Sequence, residues 1–319
     1  MSGRSINMSE HFFMYNIKMD VLSDLLKMIR LNGSVYFNAC FCSPWGMAVS
    51  EDSKASFHII VNGNAWLKSH SLKSPLELKA GDIVVFPRGS AHTISEQPDS
   101  KCLNAAEVVD AYRNNKPLFN GNQDEFNIIC GFFKFDRSLS HPFLDNLPEF
   151  IHINSESKKS FYWLDNIINQ IIEETNSKEP ASDLLVDKFT EVLFIQVIRA
   201  YAVRNDREMK YISSLLDSKL SKAIALMHET PSKDWTVEEL AKHVGLSRSV
   251  FYSRFNDGVG IPPMKYLTQW RMMQAKNQLE NGSASTITIA EKAGYQSESA
   301  FQKAFKRFFN ITPASVRKK

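Results

Sequence analysis

The sequence is poor in whatever would staple a small fold together or hold it in a membrane. It has four cysteines in 319 residues, Cys40, Cys42, Cys102 and Cys130, none in the C-x-x-C spacing of a structural zinc site. So low a density excludes a disulfide scaffold and predicts free thiols in a reducing compartment. No run of about 18 uncharged apolar residues occurs, and the polar start Met1-Ser-Gly-Arg-Ser5 lacks the apolar stretch of a secretory signal. The expectation is a cytoplasmic protein with no membrane partner. Thirteen glycines exclude a collagen repeat, and 43% apolar with 23% charged residues excludes a disordered tail and suits two domains of common size.

The net charge of +3 conceals an asymmetry. From Leu226 to Lys319 there are 14 Lys+Arg against 8 Asp+Glu, whereas the remainder has 24 against 27. A basic segment on a mildly acidic body is the distribution of a nucleic-acid-binding domain, because phosphate contacts supply most non-specific affinity. A solvated basic face has the same composition, so charge alone does not decide.

Residues from about 33 to 150 read as short strands and turns, which suggests a sandwich or small barrel. In Ser56-Phe-His-Ile-Ile-Val-Asn-Gly-Asn-Ala-Trp-Leu67, Asn62-Gly63 between β-formers predicts a type I′ hairpin. Ile83-Val-Val-Phe86, closed by Pro87, is an apolar run expected to be a buried strand. After Ser160 the period becomes helical. Trp163, Ile167, Ile168, Ile171 and Ile172 predict one helix up to the breaker ending at Pro180, and Leu184, Leu185, Phe189, Val192, Leu193, Val197 and Tyr201 predict a second. The second is apolar over more than half its girth, so it either covers a sheet or also meets a partner subunit.

Further on, Thr236-Val-Glu-Glu239 fits a capping box, and Leu240-Ala-Lys-His-Val-Gly245 predicts a short helix ended by glycine. Ser247 caps the next helix, with Val250, Phe251 and Phe255 expected on an inward stripe and Ser249, Tyr252, Ser253 and Asn256 outward. This is a helix-turn-helix pattern, and it occurs twice. Ile289-Ala290 and Gly294 repeat Leu240-Ala241 and Gly245, while Ser297, Phe301 and Phe305 repeat Ser247, Phe251 and Phe255. Between the copies, Pro262 to Gly282 predicts one helix about 28 Å long, close to the ~34 Å between successive major-groove faces of B-DNA.

Trp235-Thr-Val-Glu-Glu-Leu-Ala, Ser247-Arg-Ser-Val-Phe-Tyr-Ser-Arg-Phe255, Pro263-Met-Lys-Tyr-Leu-Thr-Gln-Trp-Arg-Met, Gly294-Tyr-Gln-Ser-Glu-Ser-Ala-Phe-Gln-Lys-Ala-Phe-Lys306 and Thr312-Pro313 together resemble the DNA-binding domain of the AraC/XylS family of bacterial transcription regulators. The resemblance implies a regulator, usually an activator, with double-stranded promoter DNA and RNA polymerase as partners and no catalytic site. It offers Ser249, Tyr252 and Ser253 of the first recognition helix to base edges, with Arg248 and Arg254 near phosphates. The second would present Glu298, Ser299, Gln302 and Lys303, with Lys306 beside them. Ser249 and Ser253 are short where the family often has long side chains, which implies few direct contacts from the first helix.

Gly81-Asp-Ile-Val-Val-Phe-Pro87-Arg-Gly89-Ser-Ala-His92 fits the second cupin motif and resembles the cupin-like sensor domains of part of that family. A cupin metal site needs further histidines and a Glu from the preceding segment, where only His58 stands, so no metal and no cofactor are expected; His70 is the one other imidazole to consider. His58, His92 and Trp66 are instead candidates for an effector pocket, the effector being a small molecule or an oxidant. Cys40 and Cys42 lie two apart on one strand face and are the candidate redox pair, against the alternative of small buried apolar residues. The expected architecture is α+β: a cupin-like β-barrel sensor over residues 1–158, a helical dimerisation region over 159–210 making a homodimer, and an all-α domain with two helix-turn-helix motifs over 211–319. The competing readings are a cupin-type metalloenzyme and an oxidant sensor acting through cysteine.

Overall fold

The computed structural model describes residues 20–317 apart from 53, 122–124, 137–140, 156–161, 204–213 and 215–216. The boundaries expected at 158/159 and 210/211 lie outside the described residues, as does the polar start. The first described helix, α1 (Val21–Met28), is capped by Asp20, whose carboxylate accepts the Leu22 N–H.

Among the described residues ten strands follow: β1 (Asn32–Cys42), β2 (Gly46–Val49), β3 (Ala55–Asn62), β4 (Asn64–Ser69), β5 (Leu76–Lys79), β6 (Ile83–Phe86), β7 (His92–Ser95), β8 (Leu103–Asn104), β9 (Glu125–Lys134) and β10 (Ile151–Ile153). They form two five-stranded sheets, ordered β1-β9-β3-β6-β10 and β5-β4-β7-β2-β8. Phe37, Ile60, Phe86 and Ile128 of the first sheet share one core with Met47, Leu67, Leu78 and Ile94 of the second, so the sheets pack face to face. The run Ile83-Val-Val-Phe86 is wholly buried because β6 is covered on both sides. Val84 and Phe86 face the second sheet, whereas Ile83 and Val85 join the core under the helices.

The Asn62-Gly63 hairpin does not form. β3 pairs with β6 and β9, and β4 pairs with β5 and β7, so the two strands belong to different sheets. Asn62 stays in the ladder opposite Asn127, and Gly63 alone takes a positive φ, of 83°. A type I′ turn needs two such residues; one produces a corner that passes the chain between sheets.

Helix α2 (Ala105–Arg113) lies beside β2 and β8, and α3 (Pro142–Asp145) precedes β10. Helices α4 (Tyr162–Asn176) and α5 (Ser182–Val203) occur where the apolar period places them and pack against each other and β1. Leu193, Phe194, Val197 and Ile198 of α5 are fully buried, with the Phe194 ring 4.8 Å from Phe133, while Leu184, Leu185 and Val192 are exposed. The C-terminal part is helical throughout: α6 (Ser218–Glu229), α7 (Val237–His243), α8 (Arg248–Val259), α9 (Pro263–Asn281), α10 (Thr286–Lys292), α11 (Glu298–Phe309) and α12 (Pro313–Arg317). One continuous apolar core runs from α1, the first sheet, α4 and α5 into α6 through α9.

Candidate nucleic-acid interface and sensor pocket

The first helix-turn-helix is α7 and α8. Its capping box is complete: Thr236 Oγ1 accepts the Glu239 N–H, and Glu239 accepts the Thr236 N–H, each at 3.1 Å. Gly245 closes the turn at φ 65°, and Gly294 does the same in the second copy at φ 76°. A side chain at Gly294 would also strike Arg271 of α9. Arg271 donates to the carbonyls of Pro231 and Lys233 at 2.6 and 2.8 Å, so one guanidinium ties the rod to the chain leading into the first copy while resting on the turn of the second.

On α8 the buried stripe is Phe251, Phe255 and Val259. Val250 does not belong to it: the side chain is 50% exposed. At about 100° per residue Val250 stands about 100° from Phe251 and 140° from Phe255, which turns it outward. Among the base-edge candidates Tyr252 is 45% exposed, and Ser249 and Ser253 are exposed. Ser249 Oγ lies 3.4 Å from Ser247 Oγ, and Ser253 donates to Asp257 at 3.2 Å. Arg254 is paired with Asp217, the N-cap of α6, which draws its guanidinium toward the domain.

On α11, Phe301 and Phe305 are buried and Ser299, Gln302, Lys303 and Lys306 are exposed. Gln302 donates to Glu298 at 2.9 Å, one helical turn away. Among the described residues, no side-chain hydrogen bond or ion pair holds Arg248, Tyr252, Lys303 or Lys306. The outward face of α8 is therefore short, partly apolar and carries Asp257, whereas that of α11 is basic, with Lys303, Lys306 and Arg307.

Between the sheets and α2 lies a cavity of about 650 Å³, with Tyr36, Phe37, Met47, Val109 and Phe132 in its wall and Lys54, Asp52, Asp110 and Arg113 adding charge. His58 and Cys130 reach it from one side. His58 Nδ1 is 3.0 Å from Cys130 Sγ, its Nε2 is 2.8 Å from His92 Nε2, and His92 Nδ1 is 2.8 Å from the Ser90 carbonyl. The carbonyl can only accept, so His92 Nδ1 carries a proton and its Nε2 accepts from His58; His58 Nδ1 then accepts the Cys130 S–H. Burial holds both imidazoles neutral: it pushes His92 down to about 4, and burial with the neighbouring His92 pushes His58 well below the usual histidine range. Burial raises the Cys130 thiol well above its ordinary value.

The structure corrects part of the sensor reading. Neither Trp66 nor His92 lines the cavity: Trp66 stands on β4 between the buried Ala65 and Leu67 and so takes the other face of its sheet, while His92 meets the site only through His58. Cys40 is exposed and Cys42 half-buried, so the alternative of small buried residues does not describe them. The buried thiol beside an imidazole is Cys130, which sequence reasoning missed. A cupin metal does not fit: His58 and His92 are bonded to each other, His70 is exposed on a turn, and among the described residues no three ligating side chains converge.

The two parts grip each other through α9 and α6. Arg30 reaches Glu280 at 2.6 Å and Asn277 at 2.7 Å, and Lys276 reaches Asp136 at 3.0 Å. His228 stacks on Trp270 with centroids 3.5 Å apart and lies between Tyr266 Oη at 2.9 Å and Asp24 at 3.3 Å.

A family model described as a cupin matches residues 20–203, and one described as a helix-turn-helix domain matches residues 240–319. The chain is 32% identical over 304 residues to the HTH-type transcriptional regulator AlkR of Acinetobacter baylyi, covering 94% of this chain and 99% of that protein. It is 29% identical to a putative AraC-like transcription regulator of Streptomyces antibioticus, covering 94% and 99%. It is likewise 29% identical to the RCS-specific HTH-type transcriptional activator RclR of Escherichia coli, covering 94% and 98%.

Proposed function

Because the chain belongs to the AraC-type helix-turn-helix transcription regulators that carry an N-terminal cupin sensor domain, and so binds double-stranded DNA and is not an enzyme, we propose that α8 and α11 enter successive major-groove faces of a promoter. Ser249, Tyr252 and Ser253 of α8 and Glu298, Ser299, Gln302 and Lys303 of α11 meet base edges, and Arg248 and Lys306 meet phosphates. Arg254 serves the fold through Asp217 first and the phosphates second. The observation that carries this reading is the repeat itself, two capped helix pairs held on one 19-residue rod.

In the same proposal residues 1–158 sense an effector, 159–210 pair two chains, and 211–319 bind DNA and contact RNA polymerase in the cytoplasm. The effector occupies the cavity above His58. A small molecule is the first reading; an oxidant acting through Cys40 and Cys42 is the second, because Cys40 is exposed whereas burial keeps the Cys130 thiol protonated beside a neutral His58. Footprinting of the purified protein on DNA upstream of neighbouring genes is expected to protect two patches on one face, about one helical turn apart. A single short patch, or none, overturns the two-helix reading.

A further inference from the structure

The two recognition helices share a feature that hydrogen bonding to bases does not use. The residue three after each capping serine is apolar: Val250 after Ser247, Ala300 after Ser297. In both copies the serine Oγ accepts that residue's N–H, at 3.4 and 3.2 Å, which fixes the backbone at this point. In both copies the side chain is exposed. Val250 is set about 60° from Ser253 around α8, and Ala300 is set the same from Lys303 around α11. Meanwhile the neighbouring hydroxyls of Ser249 and Ser299 turn back to their caps, at 3.4 and 3.3 Å.

One exposed apolar side chain is ordinary. The same offset in both repeats, in the first turn of the helix whose N-terminal residues meet bases, is a pattern with a chemical counterpart. The thymine C5 methyl is the apolar group on the major-groove edges, and a side chain without donors or acceptors recognises it by excluding water.

We propose that Val250 and Ala300 each read a thymine methyl, one in each of two successive major-groove faces, so that the operator carries two A·T pairs about 10 bp apart at these contacts. The inference rests on the reading of α8 and α11 as the helices that enter the groove. It also gives the first helix a means of discrimination despite its short serines and Asp257. Apolar contact at Val250 does the work that long polar side chains would otherwise do.

The test uses the full chain and a duplex selected from a random library by repeated rounds of binding. Each thymine is replaced in turn by deoxyuridine, which keeps base pairing and lacks the methyl, and Kd is read by fluorescence anisotropy at fixed salt. One position in each half, about 10 bp apart, is expected to lose about four-fold in affinity, the value of one buried methyl-sized group. In Val250→Ser the first position loses its sensitivity to deoxyuridine and the second keeps it; in Ala300→Ser the reverse holds. Tight binding to the selected duplex with no sensitive thymine overturns the methyl reading and leaves the groove assignment standing. Failure to select any duplex overturns the groove assignment as well.

Discussion

Lowering the pH from 7.5 to 5.0 is expected to destabilise this protein by several kcal/mol through its buried histidines. His58, His92, His141 and His228 are exposed by only 2%, 4%, 0% and 6%. Burial is the largest influence on each and holds all four below the ordinary histidine range, His92 at about 4 and His141 at about 3. An unfolded histidine takes up its proton near pH 6.5, and the folded one does so only at the lower value. Between those values the unfolded state binds more protons, so stability falls with the pH. At pH 5.0 the window already crossed is about 1.5 units, or ~2 kcal/mol for each of His92 and His141, and ~4 together. His58 and His228 act in the same direction. The carboxylates do not add to this loss: Asp82, Asp217 and Glu239 are all lowered, so their contributions are lost only below the ordinary carboxylate range. For Asp82, burial is outweighed by hydrogen bonds from His152 and two backbone amides, and its lowered pKa costs stability only below about 3.8; Asp145, raised by burial, has the opposite sign and is exposed. Against a total of ~5–15 kcal/mol, a loss of four is large. Urea unfolding at pH 7.5, 6.5, 5.5 and 5.0, followed by tryptophan fluorescence and circular dichroism, measures it. His141 caps α3 by accepting the Phe143 N–H, a role Asn can take without titrating. His141→Asn is therefore expected to remove ~2 kcal/mol of the loss at pH 5.0. A wild-type stability that is flat between pH 7.5 and 5.0 refutes the reasoning.

Lys303→Ala is expected to cost ~1–3 kcal/mol of discrimination at one base pair, whereas Arg248→Ala weakens binding to all sequences and lowers the salt slope by about one. Equal loss on specific and random DNA removes Lys303 from the reading set. Leu184→Glu, on the exposed end of α5, should leave urea stability within ~0.5 kcal/mol and convert a dimer to a monomer in light scattering, while Leu193→Glu, in the core, unfolds the chain. A Leu184→Glu protein that remains a dimer, or a wild type monomeric at tens of micromolar, excludes this stripe as the interface. Elemental analysis should find no stoichiometric metal; about one tightly held Zn or Fe per chain, lost in both His58→Ala and His92→Ala, contradicts the reading. Cys40→Ser or Cys42→Ser, rather than Cys130→Ser, should abolish any response of DNA affinity to a mild oxidant, because burial keeps the Cys130 thiol protonated; a response that survives both and is lost in Cys130→Ser overturns this order.

Local signals carried most of what the sequence shows. The capping box at Thr236 and Glu239 joins residues three apart, the α4 and α5 stripes recur every turn, and the duplicated Ala, Gly, Ser and Phe positions confirm one another. What failed depended on neighbours the sequence does not bring together. Asn62-Gly63 carries a strong hairpin signal, but β3 already has a partner on each side, so the chain turns toward the other sheet. Cys130 sits opposite His58 in the ladder across 72 residues, and no spacing rule reports that register. The apolar side chain of Val250 suggests an inward place that the helix does not give it. The helical period sets it about 140° from Phe255, and that angle, not its hydropathy, turns it outward.

The contacts between the two parts fall on a consistent set of residues. Arg30, Asp136 and Asp24 of the sensor side reach Glu280, Asn277, Lys276 and His228; three of these four lie on α9, and the fourth, His228 of α6, stacks on its Trp270. None of them belongs to α8 or α11. The sensor half thus holds the rod, and these contacts leave uncovered the outward faces of α8 and α11 that we propose meet the bases. An effector changes DNA affinity only by favouring one arrangement of the halves over another. With the grip on α9, the quantity we propose it alters is how α8 and α11 are presented to DNA, the choice of bases being left to side chains outside these contacts.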